Sequence, residues 1–325
     1  MPGTMLRASM GILIPLTVVV LPGWAALAGE LEPPVPPGTP TMKSLNEVEP
    51  RQPIYPDMLP LTIYGEGSSW YLAEHIDVTT GGITVYASDV TIDLMGHKLT
   101  GHHNNGPAIS APYTGGVTVR NGTIVGWDKG LALNSEATVV GVRVYGANYS
   151  CIELNYDSQV IDSMAVGCGD HGIVVGSGSL VRGCIASGNI ENGIWAKSLQ
   201  SGTYQGSLIV ENVVQNNLRN GIRVDGHSTV LNNQIRGNDQ IVAEGKAGVW
   251  VYGEGNRIEG NHIAYNNIGI DLDGHENIII KNSLVHNLTA AYSVDPSAIG
   301  NVFEIGTGPT AGPWANFCKG TGCPP

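Results

Sequence analysis

A short signature of the form Gly-Ile-x-Val returns along this chain at Gly130, Cys151, Gly172, Gly193, Gly221, Gly248 and Gly269, at intervals of 21, 21, 21, 28, 27 and 21 residues. A fixed period of that length means a supersecondary unit stacked on copies of itself, each burying its apolar face only against its neighbours. Within the unit, one column reads Leu131, Ile152, Ile173, Ile194, Ile222, Val249, Ile270. Two residues on, a second reads Leu133, Leu154, Val175, Ala196, Val224, Val251, Leu272. Alternation with period two inside each unit is the pattern of a strand with one buried face. Two later columns are rich in asparagine: Val142, Met164, Cys184, Asn212, Asn233, Asn261, Asn282, and then Ala147, Gly169, Asn189, Asn217, Asn238, Asn266, Asn287. Asparagines at stacked turns can hydrogen-bond from rung to rung and tolerate left-handed backbone. No unit has room for a ten-residue helical face, and the Leu-x-x-Leu-x-Leu of a leucine-rich repeat is missing. The pattern predicts an all-β chain coiled as a right-handed parallel β-helix, about 21 residues per coil.

Composition agrees. Forty-five glycines and 25 asparagines disfavour a helical bundle, while a hydrophobic share of 42% excludes a disordered chain. With only two phenylalanines, Phe303 and Phe317, the core is expected to be aliphatic. A formal charge of −12 makes nucleic acid a poor partner. Residues 1–28 read as a signal peptide: Arg7, an apolar run from Gly11 to Leu21, and Ala26-Leu27-Ala28 as the cleavage site. No stretch suits a transmembrane span, so a secreted product, extracellular or periplasmic, is expected. Residues 29–60 form a Pro-rich linker, residues 61–310 the β-helix, and residues 311–325 a tail. In that tail Cys318 and Cys323 could close a small disulfide loop. Cys151, Cys168 and Cys184 lack metal-ligand spacing and are expected as plain core cysteines.

The segments "NGIRVDGHSTVLNNQIRGN" and "IGIDLDGHENIIIKNSLVHN" resemble bacterial right-handed parallel β-helix repeats, the superfamily that includes pectate lyases and polygalacturonases. The lead-in "GGITVYASDVTIDLMGHKL" and the closing "GPWANF" are similar to an exported bacterial subgroup without assigned activity. The resemblance spans roughly residues 60–317 and implies the fold. It carries over no catalytic residue: the polygalacturonase motifs are absent, "CGDHGI" being a partial echo, and no pectate-lyase calcium cluster is recognisable.

Between the inward columns lie outward ones. The first reads Ala132, Glu153, Val174, Trp195, Arg223, Trp250, Asp271, and the second Asn134, Asn155, Gly176, Lys197, Asp225, Tyr252, Asp273. The last four rungs therefore gather Trp195, Trp250 and Tyr252 with Lys197, Arg223, Asp225, Asp271 and Asp273 over about 14 Å, the length of two or three sugar units. Aromatic rings beside charged groups suit carbohydrate, with Glu153, His227 and His275 as further substrate contacts. The alternative is a solvated strand face without function. Insertions near Leu199–Gly206 and Asp239–Gly245 would flank this patch and make it a cleft.

Two chemistries fit the charged set. Asp271 and Asp273, about 7 Å apart along one strand, match inverting glycoside hydrolysis. Alternatively Asp225, Asp271 and Asp273 could hold Ca²⁺ against a uronate while Arg223 or Lys197 removes the neighbouring proton, a β-elimination. Against both, Asp225 and Asp273 precede Gly-His and read equally well as turn formers; the histidines read best as turn caps. The expected function is binding, and cleavage as hydrolase or lyase, of an extracellular polysaccharide. A non-catalytic adhesin or a structural solenoid is the alternative.

Overall fold

The computed structural model describes residues 50–198, 206–239, 247–306, 312–319 and Cys323. The expected signal peptide, the expected linker as far as residue 49 and most of both insertions lie outside the described residues. What is described is a right-handed parallel β-helix whose coils each contribute short strands to three walls. Eleven parallel strands build the front wall, and 22 others form a continuous sheet over the second and third walls. In most coils a turn separates those two walls, as between Gln159–Ile161 and Met164–Val166. In two coils one strand, Thr118–Val125 or Thr138–Tyr145, runs through both. Pairing begins ahead of Leu61, where Gln52–Ile54 lies parallel to Ser69–Leu72. At the other end Asn316–Lys319 pairs with Ser283–Val285.

The inward column stacks in the expected register, Leu131↔Ile152↔Ile173↔Ile194↔Ile222↔Val249↔Ile270. It also extends backwards through Leu61, Ile83 and Ile109. From Ile83 onward these side chains are buried in one aliphatic core, and Leu61, partly buried, packs against its end. One aromatic departs from the aliphatic expectation: Trp127 is fully buried and its indole N–H donates to the Leu99 carbonyl at 3.1 Å.

Two asparagine ladders hold the later coils together. In one, side-chain hydrogen bonds run from Asn189 to Asn217, Asn238, Asn266 and Asn287 in turn. In the other, they run from Asn212 to Asn233, Asn261, Asn282 and Asn316. Nothing is wasted at such a site: Asn233 Nδ2 donates to Asn261 and to the Ile209 carbonyl, while its Oδ1 accepts the Asn212 backbone N–H. Two assignments from spacing shift by one residue. Ser163, not Met164, and Cys168, not Gly169, occupy the ladder positions, because the coil there is 21 residues long. A third ladder, unread in the sequence, runs from Ser158 through Ser179, Ser207 and Ser228 to Asn256, Asn277 and Asn301.

The first ladder explains the signature glycine. A Cβ on Gly193 would meet Asn217 Nδ2 at 2.6 Å and the Gly221 carbonyl at 2.8 Å. Only glycine lets the front wall start this close to the ladder. At Cys151 a thiol sits in the glycine place and Cys168 in the ladder place, and the two are joined as a disulfide. They are therefore not plain core cysteines. Cys184 stays reduced and buried in the second ladder, with burial pushing its thiol up to about 12. Cys318 and Cys323 are also joined.

Candidate functional site

The front wall puts Trp195, Arg223, Trp250, Asp271 and Ser293 side by side on consecutive rungs. Both indoles point outward from the same wall. Arg223 lies between them, its guanidinium 4.5 Å from the Trp195 ring centre, 4.4 Å from that of Trp250 and 5.0 Å from that of Tyr252. The cation thus takes the indole faces on that side, an arrangement favourable for a delocalised planar ion. Trp195 is met edge-on by His171 at 4.9 Å, and Lys197 Nζ stands 4.8 Å from its ring.

The aspartates of the second outward column secure this stack. Asp225 accepts from Arg223 Nε at 2.8 Å and from the Trp195 indole N–H at 3.2 Å. Asp273 accepts from the Trp250 indole N–H at 2.7 Å. The same device appears twice: an indole reaches one rung forward to a carboxylate. Both aspartates, read also as turn formers, use their side chains as indole acceptors.

Asp271 sits mid-strand on the outward column, yet it is only 5% exposed. Burial raises its carboxyl above the usual range, the Ser293 hydroxyl opposes this, and the charges of Asp273 and Asp295 add to it. The protonated form of Asp271 is favoured accordingly.

A second cluster lies towards the N-terminal rungs. Glu153 accepts from Lys129 Nζ at 2.6 Å on one oxygen and from Lys197 Nζ at 3.4 Å on the other. Burial works against the Glu153 carboxylate, but the two ammonium groups outweigh it and hold it below its ordinary value. Lys129 and His171 were missed in the sequence because they precede the aligned signature: Lys129 by one residue before Gly130 and His171 by one before Gly172. Burial lowers the His171 value, despite Asp170 at 3.5 Å, and its Nδ1 accepts the Asn192 backbone N–H.

His227 and His275 stand in the turn after the front wall. His227 adopts left-handed backbone with φ 51° and lies 3.9 Å from Glu254. His275 Nδ1 accepts the Ile299 backbone N–H at 3.1 Å. Calcium on Asp225, Asp271 and Asp273 is one alternative from the sequence; among the described residues no three His, Cys, Asp or Glu side chains converge into a metal-holding group. The insertions expected to flank the patch fall largely outside the described residues, at 199–205 and 240–246.

A depression of about 430 Å³ opens on the same wall, over the earlier rungs. Ser110 and Ala132 lie on its floor, with Tyr86, Lys129, Glu153 and the Asn134–Asn155 amide pair around it. Next to it three tyrosines stack: Tyr64 on Tyr86 at 5.7 Å and Tyr86 on Tyr113 at 6.2 Å.

Among solved structures the chain is similar to the Dettilon tailspike protein (gp208), with TM-score 0.53 and 16% identity over 82% of this chain and 60% of that one. It is similar to the Siphovirus 9NA tailspike receptor binding domain, with TM-score 0.52 and 12% identity over 78% of this chain and 54% of that one. A looser likeness, TM-score 0.46 and 16% identity over 81% and 88%, is to the A-module of the Azotobacter vinelandii mannuronan C-5 epimerase AlgE6. Curated proteins give no match. The chain spans little more than half the length of either tailspike, and these likenesses bear on fold alone. No helix among the described residues is long and apolar enough to cross a membrane.

A family model described as "Periplasmic copper-binding protein (NosD)" matches residues 63–312. Among the described residues no three His, Cys, Asp or Glu side chains converge as a metal site would need. The His75 and His97 Nδ1 atoms lie 3.3 Å apart, and His75 Nδ1 accepts the Lys98 backbone N–H. The match covers most of the chain and every complete coil of the front wall after the first, and the chain belongs to the periplasmic NosD family.

Proposed function

We propose that this protein is exported and binds a polysaccharide on the outward face of its front wall. One observation carries the reading: charged and aromatic side chains in contact with one another gather along a single wall, from Lys129 and Glu153 through Lys197, Trp195 and Arg223 to Trp250, Tyr252 and Asp273. A strand face with no task has no reason to concentrate its aromatic and cationic residues in this way, since scattered polar side chains would keep it soluble. Rung spacing of about 4.8 Å gives the wall a repeat well suited to a polymer of rings.

Binding has better support than cleavage. Asp225 and Asp273 are engaged with indoles, Arg223 lies in the aromatic stack, and Lys197 faces Glu153. Asp271 favours the protonated form a general acid needs, yet its burial keeps a glycosidic oxygen out of reach. A solenoid that retains glycan without turnover is therefore the reading. The test is a broad glycan panel presented to the mature protein, with and without calcium, scored for retention and for released product. Retention without product is the expected result. Release of shortened or unsaturated product would replace binding with catalysis, and no retention at all would end the carbohydrate reading.

A further inference from the structure

Tyr64, Tyr86 and Tyr113 are 74%, 43% and 79% exposed. Their rings are nearly parallel, at 15° and 16° to one another. Single exposed aromatics are ordinary, but three stacked in a row form a contiguous surface that water solvates poorly. The middle one, Tyr86, lines a depression whose volume falls within the range of small-molecule sites, about 300–1,000 Å³. The depression exists because the outward column shrinks to Ser110 and Ala132 there, while Tyr86 stands on one flank and Glu153 on another.

Its charge is also distinctive. The chain carries −12 overall, yet the lining of the depression offers a cation, Lys129, whose one carboxylate partner, Glu153, also accepts from Lys197. If an incoming anion draws Lys129 away, Glu153 keeps Lys197 and is not stranded. Exchanging one carboxylate partner for another costs far less than desolvating an unpaired ammonium.

We infer that the depression beside the tyrosine row is a binding subsite for an acidic saccharide, with the sugar ring against Tyr86 and its carboxylate on Lys129. This deepens the glycan reading and rests on it. The early rungs then receive the acidic ring, and the Trp195–Arg223–Trp250 stack continues the same face for the rest of the polymer.

The experiment titrates tetrasaccharides of galacturonate and of mannuronate, with a neutral galactose tetrasaccharide alongside, into the wild type, Tyr86→Ala, Tyr86→Leu and Lys129→Gln. Tyrosine nitration mapped by peptide mass locates the contact. An acidic tetrasaccharide is expected to shield Tyr64, Tyr86 and Tyr113 while leaving Tyr149 and Tyr265 reactive. Each Tyr86 variant and Lys129→Gln should lose affinity about tenfold with an unchanged melting temperature. If binding is intact in those variants, or shielding falls on Tyr252 instead, this subsite is wrong although the glycan reading stands. Equal affinity for the neutral tetrasaccharide would overturn the acidic preference. If no member of the broad panel binds the wild type either, both readings fall together.

Discussion

The early rungs of the front wall, Ile83 to Leu133, and the late ones, Ile194 to Leu272, share one inward column but differ in everything outside it. Early rungs carry small outward residues, so a depression forms and the tyrosines beside it stay exposed. Late rungs carry Trp195, Arg223 and Trp250, which fill the same space with each other. The walls behind them differ in parallel. Late coils are stitched by asparagine ladders, whereas the corresponding early positions are Val142, Ala147 and Ser163. The disulfide Cys151–Cys168 stands where one regime gives way to the other. A solenoid whose rungs contact only their neighbours can change its internal fastening and its outer surface rung by rung without changing its backbone.

The sharpest way to break this contrast is inside a ladder. Asn238→Ala removes donors to Asn266 and the Val214 carbonyl, and strips Asn217 of its acceptor. Leaving buried groups unsatisfied should cost about 3–5 kcal/mol in urea unfolding, since each costs about 1–3 kcal/mol. A loss below about 1 kcal/mol would mean the ladders do not fasten the late coils. Replacing Cys151 and Cys168 together by serine opens a loop of sequence separation 17 and should cost about 3 kcal/mol. Its thermal unfolding should also become less cooperative at the early end, which amide exchange would locate.

Arg223→Gln should cost about 1–2 kcal/mol and shift tryptophan fluorescence, because two indoles and Asp225 lose their shared cation. An unchanged spectrum would show that the stack does not persist in solution. The smallest effect concerns Asp271. Its folded value is raised by burial, so this one group's contribution is fully present below the unfolded carboxyl value of about 3.9 and is lost as pH rises from there through the folded value. Asp271→Asn has no such loss and should melt slightly higher than wild type at pH 7, the gain vanishing near pH 3. A gain that grew in acid would contradict the burial.

Much of the architecture was legible because it is periodic. Ile152, Ile173 and Ile194 recur at 21 residues and must stack, and the outward Trp195, Arg223 and Trp250 then follow by alternation. The disulfide was half visible: Cys151 already stood in the glycine column, but Cys168 was hidden by a one-residue slip in the ladder. The early groove was not seen, because the signature Gly-Ile-x-Val begins only at Gly130. Its trace is there nonetheless, in Thr62-Ile63-Tyr64 and Thr84-Val85-Tyr86, 22 residues apart.

Sequence alone determined the coil length, the buried columns and the wall from which each outward residue projects, since those depend on spacing along one chain. Only the folded molecule decided which neighbours claim each side chain. Asp271 is sealed, Arg223 is caught between indoles and Glu153 is shared by two lysines because partners come from rungs about 20 to 45 residues apart. Side chains of several sizes compete there for a few ångströms of space, and no linear pattern records which of them prevails.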